Sequence, residues 1–423
     1  MPEINFIVDD SEATALVYSA DMVAAVDEAR PSCSRVAHWI GVGGEIEGGL
    51  SYDELLADAS EDPHPQPPSP DDLFTIMYTS GTTGRPKGVM LTHEAFYNGT
   101  VYSSLSLNAK EDDVKMAAIP QFHAGGQIYQ LCFIAVGATI VVLPKFVPTE
   151  VFRLVELHKV SAVSFVPAML MALLEAPELK SANMSTLKNI IYGASPIPAD
   201  RLSAIMDIIP ADYRQAYGQT ECGILMVFLN EKDHRRGKSS KPSLLTSAGR
   251  PGIGYRVELF DDNLNEVPVG VVGEAAVHSG TLMRGYWKRP EATAKTLVNG
   301  WLLTGDLGWR DEEGYIYLVD RKSEMIISGG ENVYPVEVEN VLSSHPDVLD
   351  VAVFGTPHPK WGEAVTAAIV LRGSASLSED IMIDFCRGKL GGFKIPKSVK
   401  FVESLPRNAS GKLQKNVIRQ TLR

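Results

Sequence analysis

The run YTSGTTGRPKGV, from Tyr78 to Val89, constrains this chain more than any other stretch. Four hydroxyl residues (Thr79, Ser80, Thr82, Thr83), three glycines (Gly81, Gly84, Gly88) and two cations (Arg85, Lys87) share it. LFTIMY, Leu73 to Tyr78, reads as a buried strand before it, and the chain turns helical past Thr92. Such a loop suits a polyphosphate. Glycines let backbone N–H groups approach an anion, hydroxyls add donors, and the cations offset charge. Pro86 stiffens the turn before Lys87. The spacing is not that of a Walker A loop, because Pro86 stands where G-x-x-x-x-G-K-[ST] needs its second glycine. The competing reading is a plain surface loop. The strand–loop–helix setting and the embedded lysine favour phosphate.

A chain of 423 residues with 45% hydrophobic content supports a large α/β domain and at least one smaller one. Its net charge of -13 argues against non-specific binding to nucleic acid or to anionic lipid. Anionic substrates must therefore be caught by local cations. Cys33, Cys132, Cys222 and Cys386 are scattered without a C-x-x-C pair, so neither a zinc site nor a disulfide framework is expected. The start, MPEINFIVDD, has acids where a signal peptide carries a basic region. The apolar run Leu131 to Leu143 is too short to span a bilayer. It reads as a helix followed by a buried strand, IVVL. The expectation is a cytoplasmic protein with no membrane-integral part.

Strand and helix patterns alternate through the first half. Strands are expected at Ala15 to Ala20, after Lys115, at Thr139 to Leu143, Ala162 to Val166 and Asn189 to Tyr192. Helices fall at Met22 to Ala29, His93 to Ser106, Pro148 to His158 and Ala168 to Leu174. The order argues for helix-covered, mostly parallel sheets. The acidic, proline-rich Glu61 to Asp72 reads as an exposed connector. From Ala248 short alternating runs suggest an antiparallel β subdomain, with Asp306 at a turn and Arg321 at a strand end. From about Ser323 a smaller α+β unit follows. The expected domains are 1–320 and 321–423.

Several positions could carry chemistry. His123 follows a strand end, where ligands sit in open α/β sheets, although a lone histidine is more often structural. In QAYGQTE, a base could stack on Tyr217 and Glu221 could hold Mg²⁺; a strand-to-turn junction with an exposed acid explains the run equally well. Asp306 could accept from ribose hydroxyls with Arg321 beside it, against a structural ion pair.

Taken in order, YTSGTTGRPKGV, YGQTE, Thr304 to Asp306, DRKSEMIISGGENVYPVEVE and PRNASGK resemble the adenylate-forming superfamily of acyl-CoA synthetases, adenylation domains and beetle luciferases. SGGENVYP and HPKWGE are most similar to fatty acyl-CoA ligases. The resemblance runs nearly end to end.

It implies that Thr79, Ser80, Gly81, Thr82, Thr83, Gly84 and Lys87 hold the ATP β- and γ-phosphates. Gly193, Ala194 and Ser195 would line adenine and the acyl group. Tyr217 and Gly218 would lie near adenine, Thr220 at the α-phosphate or acid, and Glu221 at Mg²⁺. Asp306 and Arg321 would bind ribose. His123 would shape the carboxylate pocket, and Lys412 would be the catalytic lysine. Gly329, Gly330 and Glu331 would face CoA, and Ser323 would be the hinge of a rotating small domain. The implied reaction joins a carboxylic acid to CoA through an acyl-adenylate. Transfer to a carrier-protein thiol, and an inactive nucleotide- or acyl-binding remnant, are the alternatives. Full-length members carry a substantial N-terminal part before the equivalent of Glu3, so apolar surface is expected where it would pack.

Overall fold

The structure is a computed structural model that describes all residues except 1, 44–46, 63–65, 80–85, 374, 408–412 and 423. The chain divides into two compact units, Met1–Glu94 with Met283–Thr293, and Ala95–Leu282 with Ala294–Arg423.

The first unit opens with the helix Pro2–Asp10 and a parallel three-stranded sheet, Ala15–Ser19, His38–Val42 and Leu50–Ser51. Val8, Ala29, Cys33 and Val36 form its small core. The described part of the connector 61–72 is exposed throughout, as expected. The strand Leu73–Thr79 then pairs antiparallel with Lys87–Thr92, and Gly285–Tyr286 joins as a third strand. This corrects two expectations. The glycine-rich run closes a hairpin before the helix His93–Ser106 begins, so its setting is strand–loop–strand. The entering strand is also only partly covered: Met77 is buried, but Phe74 lies exposed against the His93 ring. An antiparallel strand needs just one covered face, and its apolar content alone does not say which residues that face takes.

The second unit is built on a seven-stranded sheet in the order 250–251, 227–229, 212–217, 189–193, 162–165, 114–117, 139–142. The last five strands run parallel. Its central strands Ala162–Phe165 and Asn189–Gly193 are buried at every residue, which is why they read as continuous apolar runs. IVVL does not. Thr139–Val142 is the edge strand and Val142 is 66% exposed. Chain order reverses between Val114–Ala117 and Ala162–Phe165, a topological switch point of the kind beside which ligands bind.

Buried polar pairs fix the register of this sheet. Lys115 donates to Ser164 Oγ at 2.8 Å, Ser161 to Asp113 at 2.6 Å, and Arg214 to Asn189 at 2.8 Å. Leaving any of these unpaired in the interior would cost more than the bond contributes. Burial holds the Lys115 amine well below its ordinary pKa.

An antiparallel sheet follows, with Arg256–Phe260, Gly273–His278, Trp301–Arg310 and Ile316–Arg321 as its longer strands. The C-terminal sheet pairs Val348–His358 with Gly362–Leu371 and carries the helices Pro335–Ser343 and Glu379–Cys386. The helix Pro148–His158 also keeps its expected bounds, and both proline-led helices carry that residue in the first turn. The chain is thus α/β with largely parallel and antiparallel sheets and a C-terminal sheet unit, as expected. All four cysteines are buried and free. Among the described residues, no helix is long and apolar enough to cross a membrane.

Candidate active site

The strand Asp212–Tyr217 ends at a sharp reversal. Gly218 makes it possible, because a Cβ there would lie 1.6 Å from Ile224 O. A short 3₁₀ turn, Thr220–Cys222, follows and Met226 N returns to Tyr217 O at 2.9 Å. Gly223 and Ile224 both have positive φ, +73° and +93°. A β-branched residue rarely takes that conformation, so the surrounding loop must impose it on Ile224.

This reversal brings Tyr217 to Asp306. The tyrosine hydroxyl donates to Asp306 Oδ2 at 2.6 Å, and Gln219 Nε2 donates to the same oxygen at 2.7 Å and to Thr304 O at 2.8 Å. Arg321 Nε lies 3.1 Å from Asp306 Oδ1. Asp306 itself is buried while Arg321 keeps 44% of its side chain exposed. Enclosure and then the Asp306 charge push the Tyr217 hydroxyl well above its ordinary pKa, so it remains a donor.

The sequence placed Asp306 at a turn, and the structure corrects this. Asp306 stands inside the strand Trp301–Arg310, opposite Arg321. Gly305 with φ +72° and a register shift between Leu307 and Gly308 mark an irregular strand, which the Gly-Asp pair mimics as a turn. Gln219 and Thr304 lay inside quoted motifs but were given no part. Position gave the only signal, two residues before an aspartate and two after a tyrosine.

Gly193 closes the strand Asn189–Gly193 beside this junction, paired with Ala216. A Cβ on Gly193 would lie 2.1 Å from Ala216 O. Ala194 follows at φ +71°, exposed with Ser195. His123 leaves the switch-point strand as the N-cap of the helix Ala124–Ile134. Its ring is 4.6 Å from that of exposed Phe122. Gly126 packs that helix against the preceding turn, since its Cβ would lie 2.0 Å from Pro120 O. Thr220 and Glu221 are half-buried on the 3₁₀ turn. No cluster of three or more candidate metal ligands occurs among the described residues. That donor set fits Mg²⁺, which takes one or two carboxylates and completes its shell with phosphate oxygens and water.

In the first unit, Thr79 faces Lys87 across the hairpin, and its hydroxyl reaches Lys87 O at 3.4 Å. The Lys87 ammonium lies 4.6 Å over the Tyr286 ring. Ser80, Gly81, Thr82, Thr83 and Gly84 lie outside the described residues, as does Lys412. The bridge from Arg407 to Leu413 brackets the latter.

In the C-terminal sheet, Gly329 and Gly330 form a two-residue hairpin loop between Ser328 and Glu331. Their φ values of +65° and +88° are what a type I′ turn requires. Gly329 N donates to Trp361 O at 2.8 Å and Ile327 N to Glu363 at 3.0 Å. The SGGEN and HPKWGE runs, distant in sequence, therefore meet. Glu331 and Ser323 are exposed, Ser323 in the turn after Arg321.

A family model described as AMP-binding enzyme matches residues 1–287, and its C-terminal domain model matches residues 337–412. The chain is 36% identical over 427 residues to a feruloyl-CoA synthase of an Amycolatopsis species, covering 99% of this chain and 81% of that protein. It is 35% identical to a long-chain-fatty-acid–CoA ligase of Mycobacterium tuberculosis, covering 99% and 80%. The solved structure of an amide bond synthetase from Marinactinospora thermotolerans superposes with a TM-score of 0.88 at 32% identity, covering 100% of this chain and 82% of that one.

Proposed function

The chain is a member of the AMP-binding enzyme family, and we propose that it is an ATP-dependent acid–CoA ligase acting on a fatty acid. The convergence of Tyr217, Gln219 and Arg321 on Asp306 supports this most. It sets a buried carboxylate, with a half-exposed guanidinium beside it, to accept two ribose hydroxyls.

In the first step a carboxylate oxygen attacks the α-phosphorus of ATP, and the bond to pyrophosphate breaks. The nucleophile is already ionised, so no base is required. Charge grows on the oxygens around phosphorus, and positioning with cations must carry the barrier. Lys412 supplies one cation, with Thr220 at the α-phosphate or acid. Mg²⁺, held through Glu221, neutralises phosphate charge. Thr79, Ser80, Thr82, Thr83 and Lys87, with backbone at Gly81 and Gly84, take the β- and γ-phosphates. Tyr217 stacks near adenine, and Gly193, Ala194 and Ser195 line adenine and acyl group. His123 shapes the carboxylate pocket. In the second step the CoA sulfur attacks the acyl carbon, the bond to AMP breaks, and the thiol proton passes to solvent. Gly329, Gly330 and Glu331 face the pantetheine. The functional boundary falls at 320/321, so that residues 321–423 turn about Ser323 between steps. The small and apolar side chains around Gly193 and Cys222 to Met226 suit an aliphatic acid, or an aryl acid as the nearest competitor. A cytoplasmic setting fits these substrates.

Pyrophosphate release with ATP, Mg²⁺ and a panel of aliphatic and aryl acids tests the reading, with and without CoA. Turnover that depends on CoA and falls on the order of 10²–10³ in Lys412→Ala supports it, the cost of one well-placed electrostatic donor. Wild-type release from that variant sinks it. Product formed with a carrier thiol or an amine in place of CoA would move the second step to another acceptor.

A further inference from the structure

Asp10 ends the first helix, far in sequence from any motif, yet four side chains converge on it. Its Oδ2 accepts from the Tyr78 hydroxyl at 2.7 Å and its Oδ1 from Arg289 Nη2 at 3.0 Å. Its backbone carbonyl accepts from Trp287 Nε1 at 2.7 Å and from Lys288 Nζ at 2.9 Å. The carboxylate side chain is only 12% exposed. Phe6, one helical turn earlier and on the same face, sets its ring edge-on to Tyr78 at 6.2 Å.

Those donors belong to the two flanks of one hairpin. Tyr78 lies on the strand entering the loop that starts after Thr79. Trp287, Lys288 and Arg289 continue the strand Gly285–Tyr286, which pairs with the strand leaving that loop. Trp287 N also donates to Gly88 O at 2.7 Å. Gly88 must lack a side chain, because a Cβ would lie 2.7 Å from Ile76 and 3.2 Å from the Tyr78 ring. Tyr286 carries the Lys87 ammonium on its face. Asp10 is thus bonded to the entry strand directly and to the exit strand through the segment that supports Lys87.

We propose that Asp10 is a positioning residue for the nucleotide polyphosphate, holding both flanks of the 80–85 loop and, through Tyr286, the direction of the Lys87 ammonium. The inference rests on the phosphate reading of that loop. Burial and the contact with Asp10 push the Tyr78 hydroxyl above its ordinary pKa, so it stays a donor. Asp10 touches no substrate in this scheme. Its loss should therefore spoil ATP capture and leave the acid site as it was.

The test compares wild type, Asp10→Asn and Tyr78→Phe. MgATP affinity is read by calorimetry and KM for ATP and for acid from pyrophosphate release, after a thermal melt shows each variant folded. Tyr78→Phe removes a single bond and keeps the carboxylate paired with Arg289, so it carries the test if Asp10→Asn does not fold. The expected result is about a tenfold or greater rise in Kd and KM for ATP, the scale of one hydrogen bond to a charged group. KM for the acid, and kcat at saturating ATP, should stay within about threefold. Unchanged ATP affinity in folded variants overturns the proposal, and so does an equal rise in both KM values. Failure of the wild type to bind MgATP at all would instead overturn the phosphate reading itself.

Discussion

Tyr217 donates its hydroxyl to Asp306 across 2.6 Å and 89 residues of sequence. Asp306 is charged, buried and already satisfied by two neutral donors and a guanidinium. Asp306→Asn removes the charge and turns one oxygen into a donor facing donors. We expect it to cost about 1–3 kcal/mol of stability, the penalty for unsatisfied buried groups, and to raise KM for ATP at least about tenfold. Tyr217→Phe removes one donor only and should cost about 0.5–1.5 kcal/mol. Urea unfolding and ATP kinetics on both variants check the order. A Phe variant worse than the Asn variant would mean that the tyrosine, not the carboxylate, organises the site.

Two glycines separate steric from conformational need. Gly218→Ala must displace Ile224 O, 1.6 Å from the new carbon, and overpacking of this kind costs about 1–3 kcal/mol. Gly329 has open space around its missing Cβ but a φ of +65°. Gly329→Asn should therefore melt close to wild type, since asparagine tolerates that conformation. Gly218→Ala should melt lower and lose adenylation. Similar melting curves for the two would show that the Tyr217 turn can relax around a methyl group.

The elements most legible in the sequence were those whose ends carry local chemistry. Pro148–His158 and Pro335–Ser343 start at a proline that has no N–H to satisfy. What failed was context. IVVL is apolar enough for a core strand, but its place at the sheet edge is set by a crossover the run itself does not encode. TGD looks like a turn because a glycine at positive φ precedes an aspartate, though the strand simply continues through it. The motifs named Tyr217, Asp306 and Arg321 one at a time; only pairing of strands remote in sequence brings them together. Gln219 was hidden because an amide in a turn has no signature until its partner is known. The 80–85 loop and Lys412 lie outside the described residues, and their roles stay proposals.

Two buried titrating groups oppose each other in one pH window. His234 sits between Asn230 O at 2.7 Å and the Tyr192 hydroxyl at 2.8 Å. The carbonyl requires Nδ1–H, so Nε2 accepts from the tyrosine. Burial lowers its pKa to about 4. Between about pH 4 and 6.5 the unfolded chain therefore binds the extra proton, and stability rises with pH. Burial raises Asp320 to about 6, with Glu339 adding to the rise and Lys415 opposing it. Here the folded chain binds the extra proton between about pH 4 and 6, and stability falls with pH. The slopes have opposite sign and offset each other. Relative to wild type, His234→Gln should tilt stability downward with rising pH across that window, and Asp320→Asn should tilt it upward. Melting temperatures at half-unit pH steps decide it. Parallel curves for all three proteins would remove both assignments.

The last prediction concerns the pivot. Ser323 lies in a turn where Glu324 N and Met325 N both donate to Arg321 O, at 2.9 and 3.1 Å. On its far side, Arg419 pairs with Glu324 at 3.2 Å and Lys415 with Glu339 at 2.7 Å. Those pairs lie wholly beyond Ser323 and would travel with the rotating part. The bond from Val336 N to Asp320 Oδ2, 3.2 Å, joins residues on opposite sides and must break if the chain turns at Ser323. Ser323→Pro fixes φ near -65°. It should leave acid-dependent pyrophosphate release within about threefold and cut CoA thioester formation about ten- to a hundredfold, the loss of one conformational step and not of chemistry. Single-turnover assays with preformed acyl-adenylate isolate that second step. Equal losses in both steps would place the pivot elsewhere, and a thioester rate that survives the proline would mean that Ser323 does not turn.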